Sequence, residues 1–186
     1  MYQTIKLIAK SGIRTETPPQ TDEALRVTVQ RLRSEVLATF NGALAIRHVD
    51  AGSCNGCELE IHALTNPYYN LEGLGIRFVA SPRHADMLLV TGPVSRHMMT
   101  ALRRTYDATP EPKLVVAVGD CGCTGGIFGE SYASCGRIAN VIPVDVAVPG
   151  CPPTPLALMQ GILTAISATP GGVVQSTPGG ALESAG

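Results

Sequence analysis

The chain has no tryptophan, and aromatic residues make up only 4% of its 186 positions. A surface that stacks bases needs several exposed rings, so the composition argues against that class of nucleic-acid binder. Charge is scarce as well. Acidic and basic residues together are 16% of the chain, and 15 acids against 14 bases leave a formal charge of −1. No basic field is available to hold nucleic acid or an anionic membrane, and no nucleic-acid partner is expected. Long apolar runs are missing: the clean ones, such as Leu114–Val118, are of strand length, and a spanning helix needs about 20 residues. Met1 to Lys6 lacks the basic and then apolar pattern of a secretory leader, so a cytosolic setting is expected. There is no Gly-x-Gly-x-x-Gly, no Gly-Lys-Ser/Thr and no His-Glu-x-x-His, so nucleotide binding by those loops is not expected either.

What the chain does have is apolar residues, 45% of the total, enough to bury a core. Leu25, Val29, Leu32 and Val36 recur at helical spacing behind Thr21, a candidate cap, with Asp22 and Glu23 in the first turn. The strand-like segments are residues 43–46, 76–79, 87–90, 114–118 and 146–148. Between them lie helical segments: Cys57 to Leu64, a helix capped by Ser95 and running to Tyr106, and one capped by Thr154 with Pro155 in its first position. Strands alternating with helices predict an open α/β sheet. Residues 169–186, rich in Gly, Ser and Pro, read as a disordered tail.

Six cysteines stand out: Cys54, Cys57, Cys121, Cys123, Cys135 and Cys151. In a reducing compartment such a set points to metal or redox chemistry rather than to staples. Three of the cysteine sites follow predicted strands, in Gly52-Ser53-Cys54-Asn55-Gly56-Cys57, in Gly119-Asp120-Cys121-Gly122-Cys123, and in Pro149-Gly150-Cys151-Pro152-Pro153. In a parallel sheet these loops emerge at one edge, where open α/β sheets place their ligands. A cubane iron–sulfur cluster needs four thiolates, and glycine-rich loops let the backbone come close to it. Zinc usually pairs two short Cys/His knuckles, and no second knuckle is evident. A dithiol at Cys54 and Cys57 would leave Cys121 and Cys151 unexplained, and six unrelated buried thiols are the bland alternative. Cys123 and Cys135 are surplus to a four-thiolate site and read as plain buried or loop thiols. Glu58 and Glu60, beside the first loop, read as helix-start carboxylates or as proton-path groups. The four histidines, His48, His62, His84 and His97, are scattered and read as hydrogen-bonded or surface residues.

At these residues the sequence resembles a known family. The matching stretches are Arg47-His48-Val49-Asp50 through Cys57-Glu58-Leu59-Glu60, Ser81-Pro82-Arg83 with Ala85-Asp86, Gly119-Asp120-Cys121 through Phe128, and Ile142-Pro143-Val144-Asp145 through Pro153. They resemble the small electron-transfer subunit of membrane-bound [NiFe] hydrogenases of the formate-hydrogenlyase type, which is similar to the B-type component of complex I. The resemblance covers roughly residues 43–168. It implies a flavodoxin-like sheet carrying one [4Fe-4S] cluster on Cys54, Cys57, Cys121 and Cys151. Cys121 is preferred over Cys123 because the family's third cysteine stands four residues before a glycine pair, here Gly125-Gly126. The B-type components of complex I typically carry adjacent cysteines at the first site, and Asn55-Gly56 separates them here, which favours the hydrogenase branch.

The resemblance also implies an electron-relay subunit of a multisubunit oxidoreductase, with no complete active site of its own. Its expected partners are a large catalytic subunit, of [NiFe] hydrogenase or complex I D type, a ferredoxin-like iron–sulfur subunit and integral membrane subunits. The expected location is peripheral, on the cytoplasmic side of the inner membrane. The alternative is a B-type component of complex I (NADH-quinone oxidoreductase) whose cluster reduces quinone. The family stretch begins near residue 43, so residues 1–42 are expected as an extension. Its helical stripe is expected to dock on a neighbouring subunit at the membrane side rather than on its own domain.

Overall fold

The five apolar segments form the five strands of one sheet. The computed structural model describes residue 6, residues 22–40 and residues 43–167, with the backbone alone described over 37–40. The strands are β1 (Leu44–Asp50), β2 (Ile76–Phe78), β3 (Met87–Thr91), β4 (Leu114–Val118) and β5 (Val146–Val148), in the order β2-β1-β3-β4-β5. Every pairing is parallel. This is the flavodoxin-like order. β3, at the centre, is buried along its whole length. That is why Met87-Leu88-Leu89-Val90 is a continuous apolar run rather than an alternation.

Two aspartates fix the register at the amino edge. Asp86 Oδ2 accepts the Ala45 N–H at 2.9 Å, and the Asp86 N–H donates to the Ala45 carbonyl at 2.8 Å. Asp145 treats Val115 in the same way, at 2.7 and 2.9 Å. Each side chain supplies an acceptor where the neighbouring strand has not yet begun.

Helices cover both faces. α1 (Glu23–Phe40), α2 (Gly56–Ala63) and α5 (Pro155–Ser167) share one cluster with Leu44, Ile46, Met87 and Leu89. α3 (Arg96–Ala108) and the short α4 (Gly119–Thr124) lie on the other face, over Leu88, Val90, Val115 and Ala117. Ser95 caps α3 as expected, its Oγ accepting the Met98 N–H at 3.3 Å. Thr154 caps α5, its Oγ1 accepting the Ala157 N–H at 3.3 Å. Asp22 immediately precedes α1, and its Oδ1 accepts the Ala24 N–H at 3.0 Å. Thr21, the expected cap, and residues 169–186, the expected tail, lie outside the described residues.

The docking expectation for α1 is corrected. Leu25 is 3% exposed and Leu32 and Val36 are 0% exposed, all within this chain's own core. The reason lies in α5. Pro155, Leu158, Met159, Gly161, Ile162, Ala165 and Ile166 are all buried, a stripe too broad for the sheet alone to cover. α1 supplies the second cover and turns Val27 toward solvent. The core of the domain therefore begins before residue 43.

Candidate functional site

The loops after β1, β4 and β5 rise from the carboxyl edge of the sheet and meet around one cavity of about 170 Å3. Cys54, Cys57, Cys121 and Cys151 all line it, with Ser53, Gly56, Gly92, Asp120, Gly150 and Pro152. These are the four thiols singled out in the sequence: Cys54 and Cys151 lie in the connections after β1 and β5, Cys57 in the first turn of α2 and Cys121 in α4. Cys123 and Cys135 are not in the lining. The Cys123 thiol donates to the Ala117 carbonyl at 3.6 Å, and burial pushes it up to about 12. Cys135 is buried on the α3 side, with its Sγ 3.8 Å from Met99 Sδ.

Local chemistry shapes each loop. Asp50 Oδ1 accepts the N–H groups of Gly52 and Ser53, both at 2.8 Å, and folds the chain back over the end of β1. Gly119 has φ +79°, and a Cβ there would stand 2.7 Å from Cys57 Sγ. Gly126 has φ +54°, and its Cβ would stand 2.9 Å from Cys121 Sγ. Both positions need the left-handed region and the missing side chain together. Asp120 Oδ1 accepts the Gly150 N–H at 2.8 Å, joining the loops of Cys121 and Cys151.

The thiols act on one another electrostatically. Burial, then the Glu58 carboxylate, then Cys54, Cys121 and Cys151 push the Cys57 thiol up to about 11. Burial and the nearby Cys151 and Cys54 raise Cys121 as well. Among the described residues no three His, Cys, Asp or Glu side chains converge on the point a single metal ion would occupy.

A second cavity, of about 400 Å3, shares the start of α2 with the first: Glu58 lines the one and Gly56 and Cys57 the other. Arg47, His48, Glu58, Ile61, His62, Thr65, Phe78, Val79 and Ala80 line it. Glu58 stands in the first turn of α2, as expected, yet it is only 7% exposed. The Thr91 hydroxyl donates to Glu58 Oε1 in a short hydrogen bond. His48 Nε2 lies 3.2 Å from Thr91 Oγ1 and 3.6 Å from Glu58 Oε1. Because the Thr91 proton goes to the carboxylate, the Thr91 oxygen is left to accept from His48 Nε2–H. Burial lowers the His48 pKa, against the opposing pull of Glu58 and Asp50. Glu60 is half-buried and lines neither cavity. The link among His48, Glu58 and Thr91 had no signal in the sequence, because the three are dispersed along the chain and meet only when β1, β3 and α2 assemble.

Known proteins share this arrangement of segments. The family model described as NADH ubiquinone oxidoreductase, 20 Kd subunit, matches residues 54–165. A protein of Pyrococcus furiosus named "Probable membrane-bound hydrogenase subunit mbhJ" is 48% identical over 119 residues, covering 64% of this chain and 71% of that protein. Formate hydrogenlyase subunit 7 of Escherichia coli is 41% identical over 139 residues, 75% of this chain but only 54% of the relative's length. Among solved structures, a chain of an archaeal membrane-bound sulfane sulfur reductase superposes with a TM-score of 0.60 at 35% identity, covering 70% of this chain and 73% of that one. With the family model spanning more than half of its length, the chain belongs to the NADH ubiquinone oxidoreductase 20 kDa subunit family.

Proposed function

We propose that this chain is an electron-transfer subunit that carries one [4Fe-4S] cluster on Cys54, Cys57, Cys121 and Cys151. One observation carries the reading: four thiols from the segments that follow β1, β4 and β5 line a single cavity, and the remaining two cysteines do not. The cavity, about 170 Å3, is smaller than the ~300 Å3 at which pockets for organic ligands begin. Its donors are sulfur, the ligand set of a cubane cluster. When bound, the cluster supplies one-electron chemistry. The protein supplies the loops that aim the thiols and the close backbone that Gly119 and Gly126 permit.

The chain works as a relay next to a large partner subunit that holds the catalytic centre. Cys54 and Cys151 are exposed, so the cavity opens at the protein surface. Large apolar side chains stand free next to the ligand loops: Leu59 is 62% exposed, Ile127 95% and Phe128 54%. Apolar surface of this kind marks an interaction face. Among the described residues no helix is long and apolar enough to cross a membrane. In this reading the subunit is peripheral in a membrane-associated complex of the hydrogenase type, on the cytoplasmic side, and the relatives named as membrane-bound hydrogenase and formate hydrogenlyase subunits support the complex. The spacing Cys54-Asn55-Gly56-Cys57 favours that assignment over a quinone-reducing component of complex I, and two Cys-x-x-Cys pairs in the partner would decide for nickel–iron chemistry.

The test is spectroscopic. Purified anaerobically with its partner, the chain should show broad brown absorbance that dithionite bleaches, four irons per small subunit and a reduced-state EPR signal. A colourless protein with stoichiometric zinc overturns the reading.

A further inference from the structure

β3 is the central strand, yet the connection that follows it, Gly92-Pro93-Val94-Ser95, brings no cysteine to the site. It still reaches the wall of the four-cysteine cavity, at Gly92. The loop that carries Cys54 rests on this connection. The Ala51 N–H donates to the Thr91 carbonyl at 3.0 Å, and the Ser95 N–H donates to the Ala51 carbonyl at 2.8 Å. Beside those two bonds the backbones are in contact. Gly92 has φ +77°, and a Cβ there would stand 2.5 Å from the Ser53 nitrogen, 2.7 Å from Ser53 Cα and 2.8 Å from the Gly52 carbonyl carbon. No residue with a side chain fits there unless Ser53 moves. From the loop's own side, a Cβ at Gly52 would stand 3.1 Å from Ser95 Cβ and 3.2 Å from the Pro93 oxygen. Cys54 follows Ser53 directly, so this contact sets its place.

The connection is itself held from behind. Val94 is fully buried, its N–H donates to the Gly136 carbonyl at 2.9 Å, and its carbonyl accepts the Cys135 N–H at 2.7 Å. On the α4 side, a Cβ at Gly122 would stand 3.7 Å from the Gly92 oxygen, an ordinary contact. Gly92 thus touches the Cys54 loop and α4, which carries Cys121. A support that cannot retreat passes added volume to whatever rests on it. The Cys54 loop has room to yield, because Gly52, Cys54 and Asn55 are exposed. The other three thiols have holds of their own: Cys57 stands in α2, and Asp120 joined to Gly150 ties Cys121 to Cys151.

We infer that the connection from β3 to α3 is the seat that positions Cys54 as a ligand, and that Gly92 is its deciding residue. The inference rests on the cluster reading above and adds to it a positioning residue from a strand end that supplies no thiol. Gly92 acts through Ser53: its missing side chain lets the loop sit low enough for Cys54 to join the other three cysteines.

The experiment uses the complex co-purified anaerobically through a tag on this chain. Iodoacetamide alkylates a thiol that iron does not hold, forming an S–C bond as iodide and the thiol proton leave. Peptide mass spectrometry then gives the labelling of Cys54 relative to Cys57. In Gly92→Ala that ratio should rise about ten-fold or more over the wild type, the size of shift that local backbone strain produces. Cys121 and Cys151 should stay protected. Gly52→Ala presses the same loop from its other side and should act in the same direction, so it decides if Gly92→Ala does not fold. Leu32→Ala, a core change in α1, should lower stability without raising the ratio. An unchanged ratio in the folded glycine variant, or equal labelling of all four cysteines in it, overturns the inference and leaves the cluster reading standing. An equal rise in Leu32→Ala overturns it as well, since any loosening of the fold would then suffice. Full labelling of all four cysteines in a colourless wild-type complex overturns the cluster reading, and the inference with it.

Discussion

Asp120 and Gly150 hold each other by two hydrogen bonds. The Gly150 N–H donates to Asp120 Oδ1 at 2.8 Å, and the Asp120 N–H donates to the Gly150 carbonyl at 2.9 Å. Each residue directly precedes a cysteine of the cavity, so this pair sets the spacing between Cys121 and Cys151. Neither residue supplies a thiol, yet the geometry of the thiols depends on both. Asp120→Ala should therefore lose most of its iron during purification, although all four thiols remain. Asp120→Asn, which keeps an oxygen acceptor, should retain more. A hydrogen bond to a charged group contributes about 1.5–3 kcal/mol, enough to move a loop out of register. Iron content and melting temperature, compared across the two variants, check this. Equal iron in wild type and Asp120→Ala would show that the loops hold their places without the clamp.

The cysteines divide four to two. Cys54→Ala, Cys57→Ala, Cys121→Ala and Cys151→Ala should each lose or convert the cluster, since each removes one of four thiolates. Cys123→Ala and Cys135→Ala should keep it, because their thiols point into the protein, toward Ala117 and Met99. Iron counts and EPR of the reduced variants decide. A normal signal from Cys151→Ala, or none from Cys123→Ala, would reassign a ligand.

Much of this arrangement was legible before the structure. Strand-like runs placed the three cysteine loops at one edge, because a parallel sheet sends all its strand ends the same way. Asp86 and Asp145 stood out in the sequence only as parts of the family resemblance, and the structure gives them a plain role as clamps on Ala45 and Val115. The fate of α1 was not legible. A helical stripe such as Leu25, Val29, Leu32 and Val36 states that a surface must be covered, and not whose surface covers it. The answer lay about 130 residues away, in the breadth of the apolar face of α5. The His48–Thr91–Glu58 chain was hidden for the same reason: its members lie on three elements, and no spacing along the chain connects them.

The placement of α1 makes its own prediction. Leu32→Ala should destabilise the chain by about 2–5 kcal/mol, because Leu32 is fully buried between α1 and its own domain. Val27→Ala, on the 40% exposed side, should cost far less. Deleting residues 1–40 should uncover α5 and yield an insoluble chain without a cluster. Urea unfolding of the point variants and iron analysis of the truncation test this. A soluble, brown truncated chain would return α1 to the role of a detachable docking helix.

His48 should give the fold a measurable acid sensitivity. Burial holds its pKa below the usual 6.5, with Glu58 and Asp50 pulling the other way. The sign follows from linkage. In the unfolded chain His48 binds its proton near pH 6.5, while in the folded chain it stays neutral to a lower pH. Between those two values the unfolded state binds more protons. The contribution of neutral His48 is therefore complete above about pH 6.5 and declines as pH falls toward the lowered folded value. His48→Gln cannot titrate, but its amide can still donate to the Thr91 oxygen. The urea midpoint of the wild type should fall more steeply than that of His48→Gln between about pH 7.5 and pH 5.5, measured on the same cluster state. Above neutrality the difference between the two midpoints should stop changing with pH. Parallel curves across that range would mean that His48 titrates alike in both states, and that the hydrogen bond to Thr91 carries no dependence on pH.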